Sequence, residues 1–341
     1  MAVTVTHISK KELGENQAFF TGSTFMQTIF WAELKEEYGF KPYFFTLSDK
    51  EHKEGLVVLE RPIAKGFSLA YIPHGPSVRL STTTDLLVIS KELKKYLPKK
   101  CILIRYDLLS GTTGKEFPKK LGRGLNKSTV GIQVPDTTIL DISKSEDDIL
   151  KAMHKKTRYN IKLASKKGVI VREADISELD NWYNMYEVTA KRDSIAIHSK
   201  VYYESVYNRA KLGTNIDMKL LFAEHDGELL AGIFVLISGD SATYLYGASS
   251  NIKRNLMPAY LLQWEAIRLV KDLGATSYDF FGIPPSDDKN HPMYGLYQFK
   301  IRFGGDVIHR DRCYDFFLSP LAPIFTLIER FRNFYYKRIK H

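Results

Sequence analysis

Cysteine is scarce in this chain, because only Cys101 and Cys313 occur among its 341 residues. The two lie far apart and neither belongs to a spacing that binds metal, so the sequence predicts neither a disulfide framework nor a metal site. So few cysteines are typical of proteins from a reducing compartment. We therefore expect a cytoplasmic protein.

Long apolar runs and targeting signals are also missing. Residues 229–237 (LLAGIFVLI) form one of the longest apolar runs, well short of the ~20 residues that a bilayer span needs. The N-terminal segment MAVTVTHISKK has no basic stretch followed by an apolar core, so it does not resemble a secretory signal. We expect neither an integral membrane protein nor a secreted one.

Signatures of nucleophilic or metal catalysis are absent too. The sequence contains no Ser/His/Asp order, no Cys/His pairing and no HExxH spacing. No glycine-rich phosphate loop follows residues 244–250 (YLYGASS), where an N-acetyltransferase would bind the pyrophosphate of coenzyme A. We therefore expect no cofactor, and the pattern disfavours a coenzyme A thioester as acyl donor.

The composition is that of an ordinary globular protein, with 44% apolar and 26% charged residues. A chain of 341 residues exceeds the usual size of one hydrophobic core, so two domains are expected. The net charge of +10 suggests an anionic partner, which could be nucleic acid, a nucleotide diphosphate or an anionic lipid surface.

The periodicity of the apolar residues indicates a mixed α/β protein. Strands and helices alternate up to residue 106, and residues 110–136 are predicted to be mostly loop. A second lobe begins near Ser145. There, several consecutive strands, a helix over 258–273 and a further strand at 277–280 follow the order of an N-acetyltransferase-like fold.

A continuous basic helix is predicted from Ser145 to about residue 167. No acid lies between Ile149 and Gly168, and seven cations do. They are Lys151, Lys155, Lys156, Arg158, Lys162, Lys166 and Lys167. Such a face suits nucleic-acid phosphates, although a merely solvated helix face is the alternative.

The C-terminal segment predicts an amphipathic helix from Pro320 onward. Its apolar stripe comprises Leu321, Ile324, Ile328, Phe331 and Tyr335, and its basic residues are Arg330, Arg332, Lys337, Arg338 and Lys340. Two interpretations remain open. The helix could touch the anionic inner leaflet of a membrane, or its stripe could pack on the first lobe.

Several stretches, taken together and in order, resemble the Fem peptidyltransferase family (FemABX), which builds interpeptide bridges in bacterial cell walls. They extend from about residue 24 to 318. The matching pieces are FWAELK (30–35), LAYIPHGP (69–76), IRYD (104–107), KKTRYNIKLASKKGV (155–169), YLYGASS (244–250), AYLLQWEAI (259–267), YDFFGIP (278–284) and YQFKIRFGG (297–305).

The resemblance implies a fold of two N-acetyltransferase-like domains. The first comprises residues 1–144 plus 307–341, since the C-terminal segment completes it, and the second comprises 145–306. Some family members carry a long coiled-coil arm in the second domain. No stretch between Leu179 and Tyr207 is long enough for one, so this chain resembles the armless form.

Carried over position by position, the resemblance implies roles for individual residues. Lys35 and Asp107 would line the acceptor cleft, Tyr202 and Tyr246 would contact the same substrate, and Phe299-Lys300 would sit at the reacting centre, on a turn bounded by glycines. Lys300 is the expected cation near the developing oxyanion or the tRNA terminus, and Asp107 is the expected orienter or proton acceptor for the attacking amine. His198 stands where an armless relative has Arg, with Lys200 nearby, which implies a different grip on phosphate.

The resemblance implies aminoacyl transfer from aminoacyl-tRNA to the stem peptide of a peptidoglycan precursor, either UDP-MurNAc-peptide or lipid II. Lys151, Lys155, Lys156, Arg158 and Lys162 would then bind tRNA. Two alternatives stay open: an N-acetyltransferase-like acyltransferase of exopolysaccharide or lipid metabolism, and a noncatalytic protein that binds tRNA or a membrane surface. The amino acid transferred and the oligomeric state do not follow from the sequence.

Overall fold

The computed structural model describes residues 3–15, 24–63, 66–109, 111–113, 122–128, 130–213, 215–283, 289–291, 293–310 and 313–339. The chain divides into two compact units. Unit 1 comprises residues 1–135 and 309–341, and unit 2 comprises residues 136–308. None of the helices in the described ranges is both long enough and apolar enough to cross a membrane.

Strands and helices follow one another along the described ranges. The strands are β1 (Thr4–Ile8), β2 (Lys41–Ser48), β3 (Lys53–Pro62), β4 (Ser68–Pro73), β5 (Cys101–Asp107), β6 (Gly111–Thr113), β7 (Asn126–Lys127), β8 (Asp136–Asp141), β9 (Ile170–Ala174), β10 (Ile216–His225), β11 (Glu228–Ser238), β12 (Ser241–Ser249), β13 (Ser277–Asp279), β14 (Asp306–Arg310) and β15 (Tyr314–Phe317). The helices are α1 (Lys10–Glu15), α2 (Ile29–Glu37), α3 (Thr83–Leu93), α4 (Glu146–Ala152), α5 (Lys155–Lys166), α6 (Leu179–Asp193), α7 (Lys200–Leu212), α8 (Pro258–Asp272), α9 (Tyr294–Ile301) and α10 (Ala322–Ile339).

The sheet of unit 1 has the strand order β1-β2-β3-β4-β5-β15-β7. Its neighbouring strands are antiparallel except β4 and β5, which are parallel and joined through helix α3. Successive side chains of a strand point to opposite faces, so β5 serves two cores. Ile104 and Tyr106 pack in one core with Leu86 and Ile89 of α3, whereas Leu103 packs in a cluster that includes Ala322 of α10.

Unit 2 repeats this arrangement. Its strands lie in the order β14-β8-β13-β12-β11-β10-β9. Strands β10, β11 and β12 are antiparallel, and β12 pairs in parallel with β13 after helix α8 crosses over. Both units therefore contain three antiparallel strands, a crossover helix and a parallel fourth strand, which is the order expected of an N-acetyltransferase-like domain.

The structure differs from the sequence-based expectations in several places. The predicted loop at residues 110–136 contains the short strands β6 and β7 and lies partly outside the described residues. Strand β8, which the sequence analysis placed in the first domain, pairs with β13 and belongs to unit 2. Accordingly, the contacts divide the chain at 135/136 and 308/309 rather than at 144/145 and 306/307.

The predicted continuous helix from Ser145 is two helices, because the chain breaks at Met153. The backbone of Met153 is extended (φ −66°, ψ 148°) and ends α4. His154 then caps α5, since its Nδ1 accepts a hydrogen bond from the Lys156 N–H at 3.2 Å. The backbone N–H of His154 donates a hydrogen bond to the Arg302 carbonyl oxygen at 2.9 Å. The break is thus stabilised by a contact that is distant in sequence.

Helices α6 and α7 occupy the part of the chain where an arm would lie. They contain 15 and 13 residues and are joined by residues 194–199. Unit 2 therefore has the short helical connection expected of the armless form.

Candidate functional site

Asp107 ends strand β5 in unit 1 and is 5% exposed. Its Oδ2 accepts hydrogen bonds from the Tyr71 hydroxyl at 2.8 Å and from the Gln133 N–H at 3.1 Å. The thiol of Cys313 donates a further bond to this carboxyl group. Burial raises the pKa of Asp107 above its usual value, although these three donors favour the carboxylate. The result is an oriented carboxylate whose basicity is increased by its surroundings.

Lys35 lies in the last turn of α2, also in unit 1. Its Nζ is 4.2 Å from the centre of the Trp31 ring, one helical turn earlier, which is the geometry of a cation–π contact. Burial lowers the pKa of Lys35 to about 8. A phosphate partner strongly stabilises a partly desolvated ammonium group of this kind, because water compensates its charge poorly.

Three predicted substrate-binding residues of unit 2 form one aromatic cluster. The His198 ring stacks on the Tyr202 ring with their centroids 4.0 Å apart. A side-chain hydrogen bond joins Tyr202 to Tyr246, and the Tyr203 ring packs edge-on against Tyr246 at 4.9 Å. The Tyr203 hydroxyl also accepts a hydrogen bond from the His198 backbone N–H at 3.0 Å. The cluster therefore holds the exposed His198 in a fixed place at the start of α7.

Lys200 begins helix α7 close to this cluster in sequence. Its Nζ forms an ion pair with Asp180 Oδ1 at 2.5 Å, and this partner raises the pKa of Lys200. The pair is solvent-exposed, so it is weak, and a phosphate group could displace the carboxylate at small cost.

Lys300 lies in helix α9, which corrects the expectation that it occupies a glycine-bounded turn. The apolar segment YGLYQFKI forms α9, and the turn begins only afterwards, at Phe303-Gly304-Gly305. A Cβ atom added to Gly304 would lie 2.7 Å from the Ala152 carbonyl oxygen, and one on Gly305 would lie 2.7 Å from that of Ile139. Only glycine fits these two positions. The turn therefore packs closely against α4 and β8 and fixes the end of α9.

The ammonium group of Lys300 is buried against consecutive backbone carbonyls. Its Nζ donates to the carbonyl oxygens of Phe280 at 2.7 Å, Phe281 at 2.6 Å and Gly282 at 3.0 Å. Burial lowers the pKa of Lys300 to about 7, and Asp279 opposes this shift. Three acceptors require three N–H donors, so this geometry needs the charged form of the side chain.

The residues around Lys300 are aromatic. The Lys300 Nζ lies 5.1 Å from the centre of the Tyr244 ring. Phe299, the other predicted residue of the reacting centre, packs edge-on against Tyr260 at 5.0 Å and Phe303 at 5.4 Å. Phe299 thus packs against the core of unit 2. Lys300 is buried, and its hydrogen bonds fix its position.

Helix α5 presents lysines without acidic partners. Lys155, Lys156 and Lys162 are exposed, and none of them has an ion-pair partner within the described part of the chain. Tyr159 lies on the same helix face as Lys155 and Lys162 and is 63% exposed. An exposed aromatic ring among lysines is suited to base stacking next to phosphate contacts. Tyr159 was not among the residues predicted from the sequence, although its spacing from the lysines is visible there.

Arg158 and Lys151 differ from these lysines. The Arg158 Nη1 donates to backbone carbonyls at the end of α4, those of Lys151 at 3.1 Å, Leu150 at 3.4 Å and Met153. This guanidinium therefore caps helix α4 and secures the break between the two helices. Lys151 pairs with Asp148 at 3.3 Å on an exposed surface.

A cavity of about 650 Å³ opens between α4, α5 and α8 in unit 2. Its lining includes the four cations Lys151, Arg158, Lys162 and Lys166 and the side chain of Trp264. The remaining lining residues are Asp147, Leu150, Ile161, Ser165, Leu261 and Glu265. A cavity with several cations and one large aromatic side chain can accept a phosphorylated group together with a ring.

The predicted residues thus fall into separate groups. Lys35 and Asp107 belong to unit 1. His198, Lys200, Tyr202, Tyr246, Phe299 and Lys300 belong to unit 2, as do the α5 cations. Within the described ranges there is no group of three His, Cys, Asp or Glu side chains that could hold a metal ion.

Comparison with known proteins gives matches over nearly the whole chain. The family model described as the FemAB family matches residues 8–107, 123–218 and 210–322. The lipid II:glycine glycyltransferase of Staphylococcus aureus is 25% identical, over 95% of this chain and 94% of the relative. That alignment spans 402 positions, so the relative carries residues that this chain of 341 lacks.

Solved structures are similar in fold. The crystal structure of FemX superposes with a TM-score of 0.78 at 21% identity, covering 96% of this chain and all of FemX. A tandem GNAT protein from the clavulanic acid pathway gives a TM-score of 0.50 at 12% identity, covering 93% of this chain and 99% of its own. These two likenesses confirm the expected fold of two N-acetyltransferase-like (GNAT) domains.

Proposed function

The chain belongs to the FemAB family, and we propose that it transfers an aminoacyl group from aminoacyl-tRNA to the stem peptide of a peptidoglycan precursor. The observation that carries the reaction class is the family match, which extends through both units. The Staphylococcus aureus relative is named for glycyl transfer to lipid II, which is the same class of reaction.

The reaction needs no protein nucleophile. An uncharged amine of the stem peptide attacks the ester carbonyl that joins the amino acid to the tRNA ribose. A C–N bond forms, the C–O bond to the ribose breaks, and the proton lost from the amine finally resides on the ribose hydroxyl. The protein must orient two large anionic substrates and stabilise the oxyanion formed between these steps.

The donor is assigned to the basic face of α5. Lys155, Lys156 and Lys162 contribute positive charge without acidic partners among the described residues, and Tyr159 offers a ring on which an unpaired base can stack. Arg158 contributes by capping α4, which holds α5 in place. Because tRNA is charged in the cytoplasm, the reaction is assigned to that compartment.

The acceptor is assigned to residues of both units. Lys35 supplies a partly desolvated cation for the diphosphate. In unit 2, His198 and Lys200 stand at the start of α7 beside Tyr202 and Tyr246. An imidazole and an ammonium group replace the bidentate guanidinium of other armless members, so the acceptor phosphate is bound by two separate groups.

The chemical step is assigned to Lys300 and Asp107. Lys300 provides a fixed positive charge at the end of α9, which lowers the energy of the developing oxyanion. Asp107, with its raised pKa, accepts the proton of the attacking amine. Lys300 also has a structural role, because its three hydrogen bonds hold the Phe280–Gly282 segment in place.

The test is an assay of the purified protein with a pool of tRNA charged with radiolabelled amino acids. UDP-linked and lipid-linked stem-peptide precursors serve as acceptors in parallel. We expect label to appear in one acceptor, and we expect RNase treatment of the pool to abolish the transfer. Transfer that survives RNase, or that proceeds from acetyl coenzyme A instead, would exclude the tRNA donor.

A further inference from the structure

Helix α10 is attached to unit 1 by a charged residue. Glu329 accepts hydrogen bonds from Arg105 Nη1 at 3.2 Å and from Nη2 at 2.8 Å. The same guanidinium donates to both carboxylate oxygens of Asp315, from Nε at 2.7 Å and from Nη2 at 2.8 Å. Arg105, Asp315 and Glu329 are all buried. The face of α10 that meets the sheet of unit 1 therefore contains Glu329, with Ala322 and Phe325 near the start of the helix.

The opposite face of α10 is apolar and exposed. The side chains there are between 51% and 65% exposed; they are Ile324, Leu327, Ile328, Phe331, Phe334 and Tyr335. Leu321, just before the helix, is exposed as well. The alternative in which the stripe packs on the first lobe is therefore wrong. An ordinary surface helix buries its apolar face, whereas α10 buries Glu329 and exposes its apolar face.

The charges around the exposed face all have one sign. At about 100° per residue, Arg330 and Arg332 lie on either side of Phe331 and so flank the apolar stripe along both edges. Both are exposed. Glu329 is the only acid in residues 320–341, and it is buried against Arg105, away from the exposed face. Lys337, Arg338 and Lys340 add further positive charge to the sequence of this segment.

We propose that the exposed face of α10 docks on an anionic lipid bilayer, with the apolar stripe in the acyl boundary and the two arginines at the phosphates. An apolar stripe flanked by cations is the pattern of helices that lie in the plane of a membrane. A second copy of the chain is a poorer occupant, since paired α10 helices would bring arginines together with no acid to balance them.

The docked helix brings the acceptor residues of unit 1 to the membrane, and this step rests on the proposed function. Arg105, which holds α10, and Asp107 lie two residues apart on β5, so their side chains share one face about 7 Å apart along the strand. Tyr71, which donates to Asp107, packs in the same cluster as Ala322. The natural acceptor is therefore lipid-linked rather than nucleotide-linked.

The first test measures binding of the full-length protein to vesicles. Flotation uses vesicles of phosphatidylcholine alone and vesicles with roughly one-third phosphatidylglycerol. We expect binding to the anionic vesicles and a loss of about 10-fold or more in the Ile328→Ser/Phe331→Ser variant. The Arg330→Gln/Arg332→Gln variant is expected to lose about 5-fold per arginine, and only on anionic vesicles.

The matched control removes exposed apolar side chains elsewhere. Val78 and Leu212 are 61% and 84% exposed and lie outside α10. The Val78→Ser/Leu212→Ser variant should bind the vesicles as the wild type does, and all variants should share the wild-type thermal transition. Wild-type protein that fails to bind anionic vesicles, or a control variant that binds as poorly as the α10 variants, overturns the proposal. So does a dimer in sedimentation that the Ile328→Ser/Phe331→Ser variant abolishes.

The second test compares acceptors and separates the docking proposal from the proposed function. The Ile328→Ser/Phe331→Ser variant should lose transfer to lipid-linked acceptor in vesicles about 10-fold relative to transfer to the soluble nucleotide-linked acceptor. An unchanged ratio overturns the assignment of a lipid-linked acceptor. A wild type that binds vesicles but transfers nothing to either acceptor refutes the proposed function and leaves the docking surface standing.

Discussion

Lys300 places its three N–H donors against the carbonyls of three consecutive residues, Phe280, Phe281 and Gly282. A side chain with this many partners is part of the local architecture as well as a source of charge. Its removal leaves three buried or half-buried carbonyls without their donor, and each orphaned group costs free energy. Loss of activity on mutation therefore needs a stability measurement beside it.

We predict that Lys300→Met lowers the free energy of unfolding by about 3 kcal/mol, in addition to abolishing most turnover. The measurement is urea denaturation followed by circular dichroism. Lys271 is the matched control, because its Nζ also donates to carbonyls, those of Ile142 at 2.8 Å and Ser143 at 3.4 Å, but near the surface. Lys271→Met should cost less than about 1 kcal/mol. A cost for Lys300→Met as small as that expected for Lys271→Met would show that the Lys300 carbonyl contacts are unimportant for folding.

We also predict that His74 makes the free energy of unfolding depend on pH. Burial lowers the pKa of His74 to about 3, with a smaller contribution from Arg310, while the unfolded chain keeps the usual value of 6.5. Between pH 6.5 and about 3 the unfolded state binds more protons, so the contribution of His74 to stability falls as the pH falls through this window. The maximal slope is about 1.4 kcal/mol per pH unit.

The His74→Asn variant isolates this effect, because asparagine tolerates the left-handed backbone found at His74 (φ 50°). The difference in unfolding free energy between variant and wild type, measured from pH 7 down to pH 4, should move steadily in favour of the variant below pH 6.5. A difference that stays constant over that range would mean that His74 titrates normally in the folded protein.

The positions of the two predicted catalytic residues followed from the sequence, but their contacts did not. The resemblance led to Lys300 and Asp107, and their sequence neighbourhoods suggested a cleft. The partners that define their chemistry could not be predicted, since Gln133 is 26 residues from Asp107 and the Lys300 acceptors are about 20 residues away. Those contacts depend on how the strands and loops meet, which no local pattern encodes.

Among the helices, α5 is predicted to bind tRNA through its exposed lysines. Changing Lys155, Lys156 and Lys162 together to Ala should weaken tRNA binding and reduce the slope of log Kd against log salt by roughly 2–3. Arg158 is left out of this set because it is engaged in capping α4. Fluorescence titration of tRNA at several salt concentrations measures both quantities.

The control for that experiment removes the same charge from unit 1. Lys91, Lys94 and Lys99 are exposed near the end of α3 and the turn that follows it. Their triple Ala variant changes the net charge equally, so it should leave the salt slope close to that of the wild type. If both triple variants behave alike, tRNA binding reflects net charge and α5 is not the docking face.

Elements were predicted well where their own residues determine them. The buried strands β3, β4, β5 and β11 are apolar runs, and the crossover helix α8 has a clear helical period. Helix α9 was missed because its aromatic sequence lacks polar alternation. The break at Met153 has neither proline nor glycine to mark it. The orientation of α10 depends on an ion pair between Arg105 and Glu329, 224 residues apart.

At the scale of the whole molecule, both units share one strand order around a parallel pair, β4 with β5 and β12 with β13. The order of elements was recognisable from the sequence for the second unit, and the family resemblance extended it to the first. The C-terminal return of the chain to unit 1 came from the resemblance alone. Strand β15 pairs with β5 across more than 200 residues, which periodicity cannot reveal.

The position of β14 beside β8 has a practical consequence for dissecting the protein. Strand β8 begins the inserted residues 136–308, β14 extends across their end, and the two strands are neighbours in the sheet. The two ends of the insert therefore emerge close together, as in domains that can be excised or circularly permuted. We predict that residues 136–308, expressed alone, give a cooperative thermal transition and retain salt-dependent tRNA binding. A fragment without such a transition would show that unit 2 cannot fold as an autonomous module.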